Sequence, residues 1–353
     1  MKLTFSIVSR FLNIDIPYMN QWIEHYVSIG VTYFHLYYIS SNSGSNSDLN
    51  DDEIYRWVDK LKTVDHVIQR VNLDQQQVGV DSNHVFVLFP PTPKITQDYI
   101  LHFDSDEYLY INERYNSQLE NFIQSQSPKD TVFRFKWIMC PAGNKPFYSN
   151  VNTILQDHTL PKYILYSHKS MGKTSNVRFT LNPHEFATTT TLHPKTVNDC
   201  FLIHFCYRGL YDVYYKCFFQ NLITQSENDT LTKIPFTDPQ VEEMSLADIP
   251  SRVLVFLAEM NHSNIPLQAA SGRYLPADFQ FRGIQSFVDP AVFNQPFLFS
   301  DRRRTLFCNR VKFLLGLHLF QDLVITDHQS FKGSILKHCR QQRHILVPLP
   351  PPR

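Results

Sequence analysis

Three carboxylates stand within four positions of the segment HFDSDEYLYI: Asp104, Asp106 and Glu107. They follow directly on an apolar stretch that reads as a buried strand. Hard divalent cations prefer oxygen ligands. Two carboxylates on a strand-end loop could hold one Mn2+ or Mg2+ and leave positions for a diphosphate. Such an ion would offset the charge that builds on the departing group. The plainer reading is a solvated acidic turn. The apolar strand before the cluster, and Tyr108 and Leu109 after it, favour the metal. A second chemistry of such aspartate pairs is phosphoryl transfer to an aspartyl nucleophile. That chemistry places the pair on the first strand with Thr or Val behind it. Here the pair comes after three strands and is followed by Glu107 and Tyr108, which disfavours it.

Cations for a diphosphate are available in SHKSMGKTSNVRF, which carries Lys169, Lys173 and Arg178, and in Arg208 at the opening of a helix. A solvated basic loop is the alternative. Transfer to a hydroxyl needs a general base. Glu185, next to His184, is one candidate, and Asp157 and Asp212 are others. The sequence does not choose among them. Trp137 has a face suited to the C–H patch of a pyranose ring, but a core position is the favoured reading. Trp22 reads as core.

Alternating elements must position these residues. LTFSIV (Leu3 to Val8) reads as a buried strand. A helix follows from Pro17, with Met19, Trp22, Ile23, Tyr26 and Val27 at helical spacing and Gly30 past its end. YFHLYYI (Tyr33 to Ile39) is the next strand, and a polar loop spans Ser40 to Asn50. Asp51, Asp52 and Glu53 open a second helix at the positive end of its dipole. Its buried stripe is Ile54, Trp57, Val58 and Leu61. HVIQRV (His66 to Val71) is a third strand, Gln75 to Leu88 reads as helix, and DYILHF (Asp98 to Phe103) is a fourth strand. This order predicts an α/β fold: a Rossmann-like, mostly parallel sheet with helices on both faces. Its ligand site is expected beyond the carboxyl ends of the strands. Further strands are expected in TVFRFKWIM, KYILYSH and CFLIHFC. A helix is expected over Leu210 to Leu222, and a helical C-terminal extension beyond that.

The chain has 353 residues, 43% hydrophobic and 19% charged, which is enough apolar material for a core and excludes wholesale disorder. Lys and Arg number 33, as do Asp and Glu, so there is no net field to hold nucleic acid. None of the six cysteines forms a CxxC pair, so they read as free thiols in a reducing compartment. No leader-like apolar run opens the chain, and VKFLLGLHLF is too short and polar for a membrane span. The two sequons, at Asn228 and Asn261, then read as chance matches. These features predict a cytoplasmic protein. The basic segment DRRRTLFCNRVKFLLGLHLF, with Arg302 to Arg304, is expected to pack on the domain or to touch an anionic membrane surface peripherally.

Three segments together resemble glycosyltransferase family 92 and the related family 2-like transferases. YMNQWIEHYVSIGVTYFHLYY is similar to that group's first helix and aromatic second strand. YILHFDSDEYLYI is similar to its metal-binding strand end, and CFLIHFCYRGLYDVYYK to its later histidine strand and helix. The resemblance covers roughly residues 5–220. It implies a GT-A fold, a nucleotide-sugar donor such as a UDP-sugar, a glycan or glycolipid acceptor, a divalent metal and inversion at the anomeric carbon. It implies that Asp104 lies towards the ribose and metal, that Asp106 ligates the metal directly, and that His204 completes the shell. Glu107 is left to support these or to bond the backbone of the turn. Residues 1–225 would form the catalytic domain, and 226–353 a mainly helical region with a Pro-rich tail.

The chain departs from the group in two places. Arg10 or Asn13 stands where Asn-Glu is usual, and Ile39 and Ser40 stand where the second strand usually ends in Asp. The missing strand-two Asp motivates one other class, an inactive glycosyltransferase-like protein that binds a glycan or a partner. A different metal-dependent nucleotide enzyme, such as a nucleotidyltransferase or a phosphohydrolase, is a second alternative.

Overall fold

The structure, a computed structural model, describes residues 2–41, 49–73, 85–127, 132–140, 145, 147–156, 163–180, 182, 184–188, 194–205, 208–209, 211–212 and 279–295. The strands are β1 (Phe5–Phe11), β2 (Tyr33–Ser41), β3 (Asp65–Leu73), β4 (Tyr99–His102), β5 (Glu107–Tyr110), β6 (Val132–Met139), β7 (Tyr163–Lys173), β8 (Val177–Phe179), β9 (Phe186–Thr188) and β10 (Lys195–His204). Eight of them form one sheet in the order β3-β2-β1-β4-β7-β6-β10-β5, and β8 and β9 form a separate ribbon.

The α/β class is as the alternation predicts, but the sheet is mixed. Pairs β1–β2, β2–β3, β1–β4 and β6–β10 are parallel. Pairs β4–β7 and β5–β10 are antiparallel. The reason lies in the connections. A parallel neighbour needs a crossover of a dozen or more residues. Only Phe103 to Asp106 separate β4 from β5, so β5 leaves β4 and pairs at the far edge of the sheet.

Helix α1 (Ile16–Ser28) has Pro in its first turn, and Gly30 beyond its end adopts φ +107°, a conformation that favours glycine. Its buried face carries Tyr18, Met19, Trp22, Ile23 and Tyr26. Trp22 meets Phe34 of β2 edge-on at 6.0 Å between ring centres, and Tyr26 meets Phe103 at 6.2 Å. Helix α2 (Asp51–Trp57) opens on a reciprocal cap: Glu53 N–H donates to Asn50 Oδ1 (2.9 Å) and Asn50 N–H to Glu53 Oε2 (2.8 Å). Helix α3 covers Val85–Leu88, the end of the segment expected to be helical from Gln75. Helices α4 (Leu119–Gln124) and α5 (Val151–Gln156) follow among the described residues. The helix expected over Leu210 to Leu222 falls largely outside the described residues. The basic segment near Arg302 and the tail lie wholly outside them. Among the described residues no helix is long and apolar enough to cross a membrane.

The chain divides into two compact units. One comprises Met1–Met139, Ile164–His204 and Gln280–Leu298; the other comprises Cys140–Tyr163, Phe205–Phe279 and Phe299–Arg353. The late segment of the first unit is fastened to α1. The backbone N–H groups of Gln285 and Ser286 donate to Glu24 Oε2 at 3.1 and 3.0 Å, and Phe281 packs against the rings of His25 and Tyr108. In the second unit α5 buries Val151, Ile154 and Leu155, and Arg208 pairs with Asp212.

Several histidines are buried in the first unit. His25 Nε2–H donates to the Leu109 carbonyl at 2.9 Å, and burial depresses the ring's pKa to about 3. Burial also lowers the pKa of His35 and His102. At these histidines the unfolded chain therefore binds more protons than the folded one below about pH 6.5, and their contribution makes stability fall as pH drops from there towards 3. Each such group contributes up to about 1.4 kcal/mol per pH unit. Urea unfolding at pH 7, 6 and 5 should show this decline, and His25→Gln should make it visibly shallower. An unchanged slope would show that His25 is not held neutral.

Candidate active site

Strand register brings the site together. In the parallel pair β1–β4, Val8 lies opposite His102. Arg10 and Asp104, each two residues further on, therefore meet beyond the carboxyl end of β4. Arg10 Nε is 3.4 Å from Asp104 Oδ1. In the antiparallel pair β4–β7, His102 lies opposite Ser170, which places Lys169 beside the same strand end. Lys169 Nζ donates to Asp104 Oδ2 at 2.7 Å, and its side chain is only 1% exposed. Burial pushes the Asp104 pKa up, but the Lys169 and Arg10 charges outweigh it and hold the carboxyl below the usual carboxylate range.

The turn between β4 and β5 is braced from both ends. Asp104 N–H donates to Glu107 Oε2 (2.8 Å), and Glu107 N–H donates to the Asp104 carbonyl (3.1 Å). Helix α1 supplies the rest. Trp22 Nε1–H reaches the Asp104 and Glu107 carbonyls at 3.2 and 3.0 Å, and the Tyr26 hydroxyl donates to the Glu107 carbonyl at 2.9 Å. Trp22 is thus core, as expected, and also a clamp on the turn. Glu107 is fully buried and bonds the turn backbone. Its burial, opposed by the Lys169 charge, pushes its pKa up to about 7.

Strand β5 then delivers a histidine. In its antiparallel pairing with β10, Glu107 lies opposite His204, so His204 arrives next to Asp106. His204 Nε2 is 3.5 Å from Asp106 Oδ1, the outer limit of a hydrogen bond.

Of the sequence candidates, the structure therefore gathers Asp104, Asp106, Lys169 and His204, together with Arg10, which the sequence offered as a stand-in for the usual Asn-Glu. It places the others elsewhere. Lys173 lies opposite Tyr99 at the amino end of β4, four residues and about 13 Å along β7 from Lys169. Its charge acts there on Asp98, and the structure does not bring Lys173 to the acidic turn. Arg178 is exposed on β8. Glu185 accepts from His168 Nε2 (2.8 Å) and Arg134 Nη2 (2.7 Å), both on Oε1. Arg208, in the second unit, is fully buried. Its backbone N–H and Nε–H both donate to Asp212 Oδ2, at 2.9 and 2.8 Å. The guanidinium offered for phosphate and the carboxylate offered as base are thereby committed to each other. Asp157 lies outside the described residues. Asn13, the alternative to Arg10, accepts from the Tyr38 hydroxyl at 2.5 Å.

Among the described residues no group of three or more His, Cys, Asp or Glu side chains is arranged to hold a metal ion. What the turn offers is a pair, the Asp106 carboxylate and the His204 imidazole. One oxygen and one nitrogen donor make a weak site for Mn2+ or Mg2+, whose remaining positions go to water or to the oxygens of a ligand such as a diphosphate. In comparisons with known proteins, no family model matches the chain and no curated protein matches it.

The Lys169–Asp104 pair makes a direct prediction. Lys169→Met leaves Asp104 with Arg10 alone and should destabilise the protein by about 3 kcal/mol, the low end for a broken buried pair. Asp104→Asn in the same background should recover part of that loss, so that the double variant is more stable than the sum of the singles. Additive losses in denaturant unfolding would show that the two side chains do not interact.

Proposed function

We propose that this protein is a metal-dependent glycosyltransferase of the GT-A type, which moves a hexose from a nucleotide diphosphate sugar to a hydroxyl of a glycan or lipid-linked acceptor with inversion. The observation that carries the reading is the convergence of Asp104, Asp106, Lys169, Arg10 and His204 at the carboxyl end of β4. The parallel block β3-β2-β1-β4 followed by antiparallel β7 supports it, because in such sheets ligands bind outside the carboxyl ends of the strands. The proposed family remains glycosyltransferase family 92 and its relatives, on the three segments that resemble it.

In this reading Asp106 and His204 hold Mn2+ or Mg2+, and the ion when bound neutralises the diphosphate leaving group. Lys169 and Arg10 keep Asp104 ionised and fixed, and present positive charge beside the place where the diphosphate would lie. Trp22 and Tyr26 keep the turn from moving as charge changes. Of the carboxylates considered as base, Glu185 has its Oε1 anchored by Arg134 and His168, which leaves Oε2 for an acceptor hydroxyl. The donor proposed is a UDP-sugar. The proposed location is cytoplasmic, with peripheral membrane contact through the segment near Arg302.

One observation favours a second reading, a glycosyltransferase-like protein that binds without turnover. Strand β2 closes on Ile39, Ser40 and Ser41, and Ile39 is buried, so none of these three positions supplies a carboxylate to bind the nucleoside. Product analysis separates the readings. Incubated with UDP-sugars and Mn2+, the full chain should release intact nucleoside diphosphate, and Asp106→Ala should lower that release at least about 100-fold. Release of sugar 1-phosphate would indicate a nucleotidyltransferase, because transfer of the nucleotidyl group breaks the donor at its first phosphorus, and no release from any donor would leave the binding protein.

A further inference from the structure

The imidazole of His204 lacks the usual means of orientation. A ligating histidine ordinarily donates its second ring N–H to a carboxylate, a carbonyl or water, and that bond fixes both the tautomer and the ring plane. His204 Nδ1 is buried and, among the described residues, has no hydrogen-bond partner. Its Nε2 has, among the same residues, the 3.5 Å approach to Asp106. What does touch the ring is Trp137 of β6. The two ring centres are 4.6 Å apart with planes inclined at 54°. The register makes this contact. Trp137 lies opposite Leu202 in the parallel β6–β10 pair, and His204, two residues beyond Leu202, emerges on the same face. Trp137 is held in turn from another side by His184, whose ring meets it edge-on at 5.2 Å. The His184 backbone is tied to β7, its carbonyl accepting from the Ser170 hydroxyl at 3.1 Å.

We propose that Trp137 is the positioning residue for His204, setting by ring packing the orientation that a hydrogen bond at Nδ1 would otherwise set. The proposal rests on the reading of Asp106 and His204 as the metal-holding pair. An indole face carries negative charge density and an imidazole edge positive, so a tilted contact at this distance is attractive and directional. A smaller side chain at 137 leaves the imidazole free to rotate about its side-chain bonds, and Asp106 alone then faces the cation. Trp137 is accordingly assigned to this contact, and not to an acceptor sugar.

The test uses the full chain with Mn2+ alone as the probe, and no nucleotide. Free Mn2+ is measured by its paramagnetic resonance signal for the wild type, Trp137→Leu and Trp137→Phe, with folding checked by circular dichroism. Trp137→Leu should weaken Mn2+ binding about 10-fold, as loss of an orienting partner does. Trp137→Phe, which keeps an aromatic face, should stay within about 3-fold. A second readout needs no metal. The 15N ring signals of His204, identified by their loss in His204→Gln, should be those of one tautomer in the wild type and in Trp137→Phe. They should become averaged in Trp137→Leu. Equal Mn2+ affinity in all three proteins, with unchanged His204 signals, would overturn the positioning role. If the wild type takes up no Mn2+, the metal reading of Asp106 and His204 falls. The His204 signals then decide positioning by themselves, and signals identical in the wild type and Trp137→Leu would end it.

Discussion

A lysine ammonium that has been taken out of water must have a counter-ion, and Asp104 is the counter-ion of Lys169. The strand end is built around that requirement. Asp104 must sit where β7 can reach it, so β7 runs antiparallel to β4 with Ser170 opposite His102. The position next to β4 on that side is then filled, and β5 must find another edge. It finds β10, and the pairing that results sets His204 beside Asp106. That ion pair thus bears both on how Asp104 is neutralised and on which side chain comes to Asp106. Asp104 has two protein cations, whereas Asp106 has the His204 imidazole at 3.5 Å.

The turn can carry this much charge because its backbone is held independently. Trp22 and Tyr26 bond two carbonyls of the turn from α1, and Glu107 bonds its own turn from within. The late segment 279–295 adds support from outside, through Glu24 on the same helix and through Phe281 against Tyr108 of β5. A residue far along the chain therefore helps to fix the strand that follows the acidic turn. Division of function at a single sequence boundary would miss this.

Much of the first half was legible in the sequence. Alternation and helical spacing mark β1, α1, β2, α2 and β4, and the apolar strand ahead of Asp104 marks the site. What escaped is what depends on long-range register. Lys169 and Lys173 lie on one strand in one basic segment, and only the pairing with β4 decides which of them meets Asp104. Strand β5 has four residues, too few for a clear period, although Tyr108 to Tyr110 are strong strand formers. The commitment of Arg208 to Asp212 was readable from their spacing of four, the distance at which helical neighbours pair. The bonds from Trp22 and Tyr26 to the turn left no signal beyond two aromatic residues with polar tips on a buried helix face.

The central claim is that Asp106 serves a metal-bound nucleotide while Asp104 is spent on protein cations. Calorimetric titration of UDP and GDP into the wild type and Asp106→Ala, each with and without Mn2+, tests it most directly. The account predicts UDP binding that requires both Mn2+ and Asp106, with GDP clearly weaker. Binding of neither nucleotide, or UDP binding indifferent to Mn2+ and to Asp106→Ala, would contradict it.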